Sequence, residues 1–441
     1  MCKIYQYIMM AFVVVTTASC VSEMDETEIE ASQHRIQLVV DGFPAFGEST
    51  TRAIGTPDVG KTSWTEGDEL LLAVNSAYHG DKYAVFTYNG ETWTLTSGEL
   101  YFREGNIVRV THVYYAPNYE WSSGELELKE GKVAGTDECI EGTGTTTDGE
   151  TVTVSFSSAT RKYSRLRIAT APNTDVLVIA KDFIPANGNS AVNNTYTFTS
   201  DADGNVFLYG NFTMDSSIEV KYGENSLVDY TFTESTKDGI SYALDATFTS
   251  AVDLKPNDIM EMVKKEMQEG RTDFKIILAP NAGEEELKAI TSILQDASVN
   301  LTITGITSIP EKGFSQMENL QSIRLPDVTE LGAYAFEECS NIKTIEAPKL
   351  EKINNGCFRN CDYLQKLVFG TITRVDDTDG LLIPNNSRNT IDLVLSEQQK
   401  LLTNDGHGIW TPATSDERYS GSSESNKNQF FGYIFKSIRF K

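Results

Sequence analysis

Thiols are the groups in this chain whose spacing comes nearest to a chemical site. Cys339, Cys357 and Cys361 lie close enough in sequence to be considered as three ligands of one metal ion. However, Cys339 and Cys361 are 22 residues apart, and Met317 stands 22 residues before Cys339. A position that accepts a thioether is an apolar one, so we expect these thiols to be buried in a core. A disulfide between Cys339 and Cys361 in an oxidising compartment is the alternative.

Acidic and histidine side chains are the second set of candidate groups. Asp201-Ala-Asp-Gly-Asn205 has the start of a calcium loop, but Val206 and Phe212 stand where an EF-hand needs Gly and Glu, so we predict a hairpin turn. Nucleophile elbows, phosphate loops and zinc-protease motifs do not occur in the sequence. None of the histidines lies in a catalytic or metal motif: His34, His79, His112 and His407. We therefore expect a protein that is not an enzyme and has no metal and no cofactor.

The elements that position the thiols form a repeat with a period of 22 residues. Ile306, Val328, Leu350 and Ile372 follow this spacing, and five further columns keep it. Those columns are Ile309/Leu331/Ile353/Val375, Phe314/Phe336/Phe358, Met317/Cys339/Cys361, Leu320/Ile342/Leu364 and Ile323/Ile345/Leu367. A fixed period of about 20 to 29 residues is typical of a leucine-rich repeat solenoid, in which each unit buries its apolar face against its neighbours.

The pattern I-x-x-I-x-x-x-x-F-x-x-C-x-x-L-x-x-I-x-x-P, from Leu301 to Val375, resembles the BspA-type leucine-rich repeat of bacterial surface antigens. Beyond Val375 the register is lost, and Ile391–Leu395 and Phe435–Phe440 are strand candidates that resume it. The resemblance implies adhesion, because the family includes adhesins for host matrix proteins. Solenoids bind through their strand faces, where the candidate ligand-binding residues are Gln321, Arg324, Lys343, Glu346, Gln365 and Lys366.

The N-terminus has the pattern of an export signal. Lys3 is followed by the apolar run Ile8–Val15 and then by Thr17-Ala-Ser-Cys20, which supply a charged region, a hydrophobic region and a small-residue cleavage site. Thr17–Cys20 resembles a bacterial lipoprotein lipobox, with Thr17 in place of the usual leucine, and this implies cleavage before Cys20 and lipidation of Cys20. Plain secretion is the alternative. The acidic segment Ser22–Glu28 is either a flexible spacer or similar to the signal that sends lipoproteins to the outer face of the outer membrane.

The middle of the chain is all-β by its alternating pattern. Nine short runs with turn residues between them predict strands, and Asn89-Gly90 predicts a hairpin. The nine runs are Ile36–Val40, Glu69–Val74, Tyr83–Tyr88, Val108–Val113, Val152–Phe156, Leu166–Ile168, Val176–Ile179, Tyr196–Thr199 and Val206–Tyr209. Strands at this spacing predict β-sandwiches, with a join in the Gly- and Thr-rich segment Gly135–Gly149.

A looser family resemblance covers residues 36 to 250. Thr51-Arg52-Ala53, Trp64–Asp68, Tyr88–Trp93 and Tyr114–Pro117 follow the order seen in fimbrillin-like proteins, as does the later strand Tyr163–Ile168. The resemblance implies two transthyretin-like sandwiches and a role in adhesion or fimbrial assembly. Polymerising fimbrillins donate a segment at the chain end, but here a repeat domain follows the sandwiches, so an accessory or tip-like component fits better than a stalk subunit.

Between sandwich and repeats, the sequence predicts a strand-helix-strand cap. Pro256–Glu269 and Gly283–Gln295 read as helices, with Asn257 as N-cap of the first and Gly270 after its last turn. Phe274–Leu278 and Val299–Ile303 read as strands around the second helix. The predicted fold is mainly β: two β-sandwich domains, a short α/β cap and a leucine-rich repeat solenoid. Its parts are a signal peptide (1–19), an acidic tether (20–35), sandwich 1 (36–140), sandwich 2 (141–252), the cap (253–304) and repeats (305–441) with an inserted loop near 411–428.

Charge and aromatic content narrow the function. The net charge of −26 and pI near 4.6 argue against nucleic-acid binding, which needs clustered Lys and Arg. We expect a lipid-anchored outer-membrane protein, exposed on the cell surface, that binds host or neighbouring-cell surface proteins or fimbrial subunits. The alternatives are a glycan-binding lipoprotein of a polysaccharide-uptake system and an envelope hydrolase. The glycan alternative depends on Trp64 and Trp93, which we expect to be sandwich core, and on Trp121 and Trp410, which lie in loop-like sequence.

Overall fold

The computed structural model describes residues 34–48, 59–76, 80–98, 100–102, 108–146, 151–157, 161–378, 382–383, 390–404, 409–411, 428–431 and 433–441. Several predicted features lie outside these residues: the signal peptide, the lipidation site Cys20, most of the tether, the segment Thr51-Arg52-Ala53 and most of the inserted loop. The described chain is mainly β, with two α-helices. It forms two compact units: unit 1 is 1–45, 61–132 and 138–160, and unit 2 is 46–60, 133–137 and 161–441.

The first half of the described chain consists of strands. In chain order these are β1 (His34–Arg35), β2 (Gln37–Val40), β3 (Gly47–Glu48), β4 (Glu69–Ser76), β5 (Gly80–Tyr88), β6 (Trp93–Gly98), β7 (Tyr101–Phe102), β8 (Val108–Tyr115), β9 (Tyr119–Ser122), β10 (Glu125–Leu128), β11 (Ile140–Thr146), β12 (Thr151–Ser155), β13 (Ser164–Ala169), β14 (Asp175–Pro185), β15 (Val192–Thr199), β16 (Asn205–Tyr222), β17 (Asn225–Thr231) and β18 (Ile240–Asp245). Each of the nine predicted runs is a strand, and the Asn89-Gly90 hairpin joins β5 to β6 with Tyr88 opposite Trp93.

Unit 1 contains a seven-stranded sheet in the order β2-β12-β11-β8-β4-β5-β6. Alternation along its strands buries apolar side chains such as Leu70, Leu72, Val113 and Val152, none of which exposes any measurable surface. All neighbouring pairs in this sheet are antiparallel except β12 with β2, which is parallel. The alternating pattern of the sequence is thus the pattern of this core.

The predicted boundary between the two β regions at residue 140 is wrong. The Gly- and Thr-rich segment forms strand β11, which pairs with β8 and β12 in the sheet of unit 1. Glycine is needed there because the space of a side chain is already filled. A Cβ at Gly142 would lie 2.7 Å from the Phe156 ring, and one at Gly144 would lie 2.5 Å from Val110. Glycine in this strand therefore marks close packing and not a linker.

Unit 2 begins with a second seven-stranded sheet, ordered β15-β14-β16-β13-β18-β3, with β17 paired to β16. Strand β16 is 18 residues long and changes partners along its length. Its first part pairs with β13 and its last part with β17, while β14 pairs with both the middle and the end. Buried side chains of this region include Ile168, Val178, Leu208 and Phe212.

The second half of unit 2 contains both helices and a series of parallel strands. The elements are β19 (Thr249–Ser250), α1 (Pro256–Gln268), β20 (Asp273–Ile277), α2 (Glu284–Leu294), β21 (Val299–Thr304), β22 (Ser308–Ile309), β23 (Leu320–Arg324), β24 (Glu330–Leu331), β25 (Thr344–Ala347), β26 (Lys352–Ile353), β27 (Lys366–Phe369), β28 (Arg374–Val375), β29 (Asp392–Leu395), a 3₁₀ helix (Glu397–Leu401), β30 (Thr403–Asn404), β31 (Ile409–Thr411), β32 (Gln429–Phe430), β33 (Tyr433–Ile434) and β34 (Ser437–Phe440). No helix in the described residues is long and apolar enough to cross a membrane.

The 22-residue period becomes a register of parallel strands. Ile323 pairs with Ile345, and Ile345 pairs with Leu367, so residues of one column lie side by side. The eight-stranded sheet runs in the order β19-β20-β21-β23-β25-β27-β29-β34, and a four-stranded sheet runs β22-β24-β26-β28. The two strand candidates after Val375 therefore do resume the repeat, as β29 and β34.

Aromatic rings of one column stack through the repeat core. Phe314 and Phe336 have ring centroids 5.4 Å apart, and Phe336 and Phe358 have centroids 6.1 Å apart, with nearly parallel planes. All three side chains are buried. Each ring therefore packs against the equivalent ring of the next unit, which is how a single repeat gains a core that it cannot form alone.

The predicted cap is correct in its elements but not in its details. The N-cap of α1 is Lys255, not Asn257, because Pro256 takes the first helical position, where its missing N–H costs nothing. Gly270 follows the helix with a φ of 82°. Strand β19 pairs with β20, so the last residues assigned to the second sandwich belong to the parallel sheet.

Candidate functional site

The exposed face of the eight-stranded parallel sheet carries a groove of about 380 Å³. We call it the strand-face groove, and the residues that line it are Asp273, Phe274, Lys275, Asn300, Leu301, Thr302, Ser322, Ile323, Arg324, Thr344, Glu346 and Lys366. Alternation along each strand sends Ile323 and its neighbours in the column into the core, so polar residues are left on the groove side. The parallel register then arranges these polar residues in rows.

The first row follows one register position across five strands. Asp273, Asn300, Ser322, Thr344 and Lys366 are paired in succession. Asn300 Nδ2 donates to Asp273 Oδ1 at 3.0 Å, and Ser322 Oγ donates to Asn300 Oδ1 at 2.7 Å. This row offers hydroxyl and amide groups that are already held in place by their neighbours.

The second row lies two residues further along the same strands. It consists of Lys275, Thr302, Arg324 and Glu346. Glu346 accepts a hydrogen bond from Lys366 Nζ at 3.0 Å, so these two charges are matched. Arg324 is exposed, and no ion pair to it occurs within the described residues. The row therefore presents a guanidinium on a strongly acidic protein.

Lys275 stands at the end of the second row and is largely enclosed. Its Nζ donates to the backbone oxygen of Asp245 at 2.8 Å. Burial lowers the pKa of the Lys275 ammonium, against the opposite effect of Asp245 and Asp273. The ammonium is thus fixed by a backbone contact at one end of the groove.

Three of the six predicted ligand-binding residues line the groove and three do not. Arg324, Glu346 and Lys366 lie in it. Gln321 is the second residue of β23, and Lys343 and Gln365 directly precede β25 and β27. The ladder between β21 and β23 shifts register so that Val299 pairs with Leu320 and Asn300 with Ser322, and Gln321 is passed over. Ser322, which directly follows this shift, and Thr344, which pairs with Ser322, line the groove and were not among the predicted residues.

The thiols lie in the repeat core, as the Met317 column predicts. Cys339, Cys357 and Cys361 are fully buried and unbridged. Cys339 Sγ donates to Phe314 O and Cys361 Sγ donates to Phe336 O, each at 3.0 Å. Burial raises the pKa of Cys339 and of Cys357 to about 12. No group of three metal-ligating side chains occurs in the described part of the chain.

The Asp201 segment is a tight turn, as predicted, but it is not a hairpin, because the strands that it connects, β15 and β16, are separated in the sheet by β14. Asp201 Oδ1 accepts hydrogen bonds from the backbone nitrogens of Asp203, at 3.0 Å, and Asn205, at 2.7 Å. Gly204 has a φ of 81°, and a Cβ there would lie 2.5 Å from Thr170 O. The carboxylate therefore orders its own turn.

Among the histidines, the described side chain is His112, on β8. Its Nδ1 lies 3.3 Å from Glu141 Oε1, and both side chains are about half exposed. Tyr114 Oη donates to the same carboxylate at 3.2 Å. Burial, and then Glu141, raise the pKa of Tyr114 to about 12. The three groups form a surface hydrogen-bonded set on two neighbouring strands.

The tryptophans of unit 1 are partly buried within aromatic clusters. Trp64 packs edge-on against Trp93 at 5.1 Å and against Phe43 at 4.8 Å, and its Nε1 donates to Asp41 O at 2.7 Å. Trp121 lies in strand β9, not in a loop, and its ring centroid is 5.0 Å from that of Tyr83. These rings pack against one another instead of forming flat exposed platforms.

Comparison with known proteins identifies one part of the chain. Residues 295–378 match the family described as BspA type leucine rich repeat region (6 copies). These residues include β21 to β28 and most of the strand-face groove. The repeat region is of the BspA type. No curated protein and no solved structure matches the chain. The predicted repeat resemblance is confirmed over this region, and the BspA-type repeats are often related to surface adhesion.

Proposed function

We propose that this protein is a non-enzymatic, lipid-anchored protein of the outer membrane that binds other proteins through the strand-face groove. The observation that carries the proposal is the open, polar and ordered groove on a BspA-type repeat region. Repeat proteins of this kind use the strand face as an extended recognition surface. The partners are host or neighbouring-cell surface proteins, or fimbrial subunits.

The chemistry of the groove supports protein recognition. Rows of hydroxyl and amide groups are suited to polar contacts at an interface, and arginine is among the residues that contribute most to binding energy. Arg324 is the exposed guanidinium of the groove, and Glu346 and Lys366 beside it are already matched to each other. A partner that brings a carboxylate to Arg324 completes the charge pattern.

The proposal also assigns a fold to the β regions and to the repeats. We assign a fimbrillin-like β-sandwich to each of the two seven-stranded sheets, and a solenoid to the repeats. The partner change and the register shift along β16 support the first assignment for unit 2, because strands with bulges and bends form the corners of β-sandwiches. The 22-residue register of the parallel strands supports the second. An accessory or tip-like fimbrial component follows from the combination.

The anchor and the location are tested first. Cells that express the tagged chain are labelled with antibody and shaved with protease, alongside Cys20→Ala as control. Surface labelling that is lost in Cys20→Ala is the expected result. A well-expressed protein that is never labelled on intact cells contradicts surface exposure and places the groove out of reach of host proteins.

The groove is tested by adhesion to immobilised host matrix proteins and neighbouring-cell surface proteins. Arg324→Glu reverses the exposed charge in the groove, and Lys343→Glu makes the same reversal at an exposed position outside it. We expect Arg324→Glu to weaken adhesion at least about tenfold, because reversal of a charge at an interface replaces attraction by repulsion. Lys343→Glu leaves adhesion unchanged. Equal losses in both variants would mean that net charge, not the groove, governs binding.

A further inference from the structure

Unit 2 contains a second cavity, away from the matched ion pair of the strand-face groove. Its volume is about 430 Å³, within the range of about 300 to 1,000 Å³ typical of small-molecule sites. We call it the β17–β18 pocket, and its lining residues that carry the argument are Val228, Tyr230, Glu234, Tyr242, Asp245 and Lys275. The cavity shares Lys275 with the strand-face groove, but Arg324, Glu346 and Lys366 do not line it.

One wall of the pocket is aromatic and apolar. Tyr230 lies on β17, which pairs with β16 in the sheet, and the Tyr230 side chain is 43% exposed. Its ring meets the buried ring of Phe232 at 87°, with centroids 5.0 Å apart, and this contact fixes the orientation of Tyr230. Val228 and Tyr242 contribute partly buried surface beside it. An exposed but fixed aromatic ring is a stacking surface that costs a ligand little ordering entropy.

The remaining lining of the pocket carries both acceptors and donors. Asp245 Oδ1 accepts from Thr247, while Oδ2 accepts no hydrogen bond from the described residues. The Glu234 side chain is exposed, with its carboxylate also unpaired within the described chain. Lys275 uses one ammonium proton for Asp245 O, which leaves two to donate. Tyr242 Oη accepts from the backbone nitrogen of Lys237 at 3.0 Å, so its own proton is available.

This mixture selects the chemistry of the ligand. Two carboxylates and one ammonium line the cavity, so a negatively charged ligand is repelled overall, while a positively charged ligand offers no acceptor to the remaining Lys275 ammonium protons. An apolar ligand buries these groups without partners, which costs free energy. A hydroxyl both donates and accepts, so a polyhydroxylated ring satisfies carboxylate and ammonium together. The apolar face of such a ring packs on an aromatic side chain.

We propose that the β17–β18 pocket binds a neutral saccharide, with a pyranose ring on Tyr230 and its hydroxyls bonded to Glu234, Asp245 and Lys275. The saccharide site meets the strand-face groove at Lys275 and does not include Arg324, the residue proposed to bind a protein partner. It gives the protein a second recognition surface, for carbohydrate, on the same unit as the repeats.

The test is calorimetric titration of the full chain with neutral trisaccharides of glucose, of mannose and of N-acetylglucosamine. We expect at least one to bind saturably with one site per chain. Tyr230→Ala weakens that binding about tenfold, which corresponds to about 1.4 kcal/mol. Tyr363→Ala is the matched control, because Tyr363 is 61% exposed on the repeats and outside the pocket, and it leaves binding unchanged.

A second variant controls for the possibility that Tyr230→Ala loses binding only because it misfolds. Glu234→Gln changes an exposed carboxylate without removing packing, and it also weakens saccharide binding, while Arg324→Glu in the groove does not. Absence of heat with all three trisaccharides at millimolar concentration overturns the proposal, as does equal binding by Tyr230→Ala and the unaltered chain. Binding of an apolar fluorescent dye at Tyr230 that no saccharide displaces also overturns it, and identifies the cavity as a site for apolar ligands.

Discussion

The buried thiols of the repeats make the protein sensitive to alkaline pH. Cys339 and Cys357 have a pKa raised by burial from 9.0 to about 12, and burial raises the pKa of Cys361 well above 9.0. The folded-state pKa therefore exceeds the unfolded-state pKa for each thiol. Stability from this source is complete below pH 9 and is lost as the pH rises toward 12, because only the unfolded chain can release the protons.

The loss of stability at alkaline pH depends on how far the pH exceeds the pKa of the unfolded thiols. At pH 10 an unfolded thiol with a pKa of 9.0 gains about 1.4 kcal/mol by ionisation, while a folded thiol with a pKa near 12 gains almost nothing. Cys339 and Cys357 together reduce the free energy of unfolding of the repeats by about 3 kcal/mol between pH 7 and pH 10, and Cys361 acts in the same direction. A loss of this size is a large part of the stability of a typical domain.

The assay compares the chain with a triple variant in which Cys339, Cys357 and Cys361 are replaced by alanine. Alanine already stands in the Cys357 column, as Ala335 one repeat earlier. Urea unfolding is followed by far-ultraviolet circular dichroism at pH 7 and pH 10 with a phosphine reductant present. The variant is less stable at pH 7, but on going to pH 10 it loses less free energy of unfolding than the unaltered chain, by at least about 3 kcal/mol. Equal losses in the two proteins would refute the reasoning, since the tyrosines and lysines are common to both.

Three further perturbations test the packing and charge of the repeats by chemical denaturation. Phe336→Ala removes a fully buried ring from the stack and costs about 3 to 5 kcal/mol, whereas Tyr363→Ala, at an exposed ring, costs less than about 0.5 kcal/mol. Gly332→Ala places a Cβ 2.5 Å from the backbone of the preceding unit and destabilises by about 1 to 3 kcal/mol, whereas Gly42→Ala meets nothing within 4 Å and does not. The pKa of Asp327 is lowered, because hydrogen bonds to its carboxylate outweigh the effect of burial. The ionised carboxylate therefore stabilises the fold above the unfolded-state pKa, and this contribution is lost as the pH falls through the folded-state pKa. Asp327→Asn abolishes this part of the acid dependence, which is measured by nuclear magnetic resonance titration and by acid unfolding.

The repeat was predictable because its columns are read directly from spacing. Met317 before Cys339 indicated a buried thiol, and the structure places that thiol in the core. The strand face was harder, because strict alternation fails where the ladder between β21 and β23 shifts by one residue at Gln321. Gln321, at this shift, lies outside the groove although the next residue, Ser322, lines it.

The β regions show what local sequence does not contain. Gly142 and Gly144 resemble a linker by composition, yet their small size is required by Phe156 and Val110, which come from other strands. The 18 residues of β16 likewise change partners in response to distant strands. The β17–β18 pocket joins residues of β17 and β18 with Lys275 on β20, and no spacing in the sequence indicates that they meet.

Because the register repeats every 22 residues, the recognition surface can be lengthened or shortened by whole repeats. Residues 328–349 span one period. Their removal would make Ile306 the direct neighbour of Leu350 in the same column, and each inward side chain would still pack against its equivalent in the next repeat. Every unit gained or lost changes the width of the parallel sheet by one strand, about 4.8 Å, without a change in the turns or in the core. Unequal recombination within the coding sequence can therefore change the number of repeats, and so match the length of the groove to a partner, while the fold stays the same.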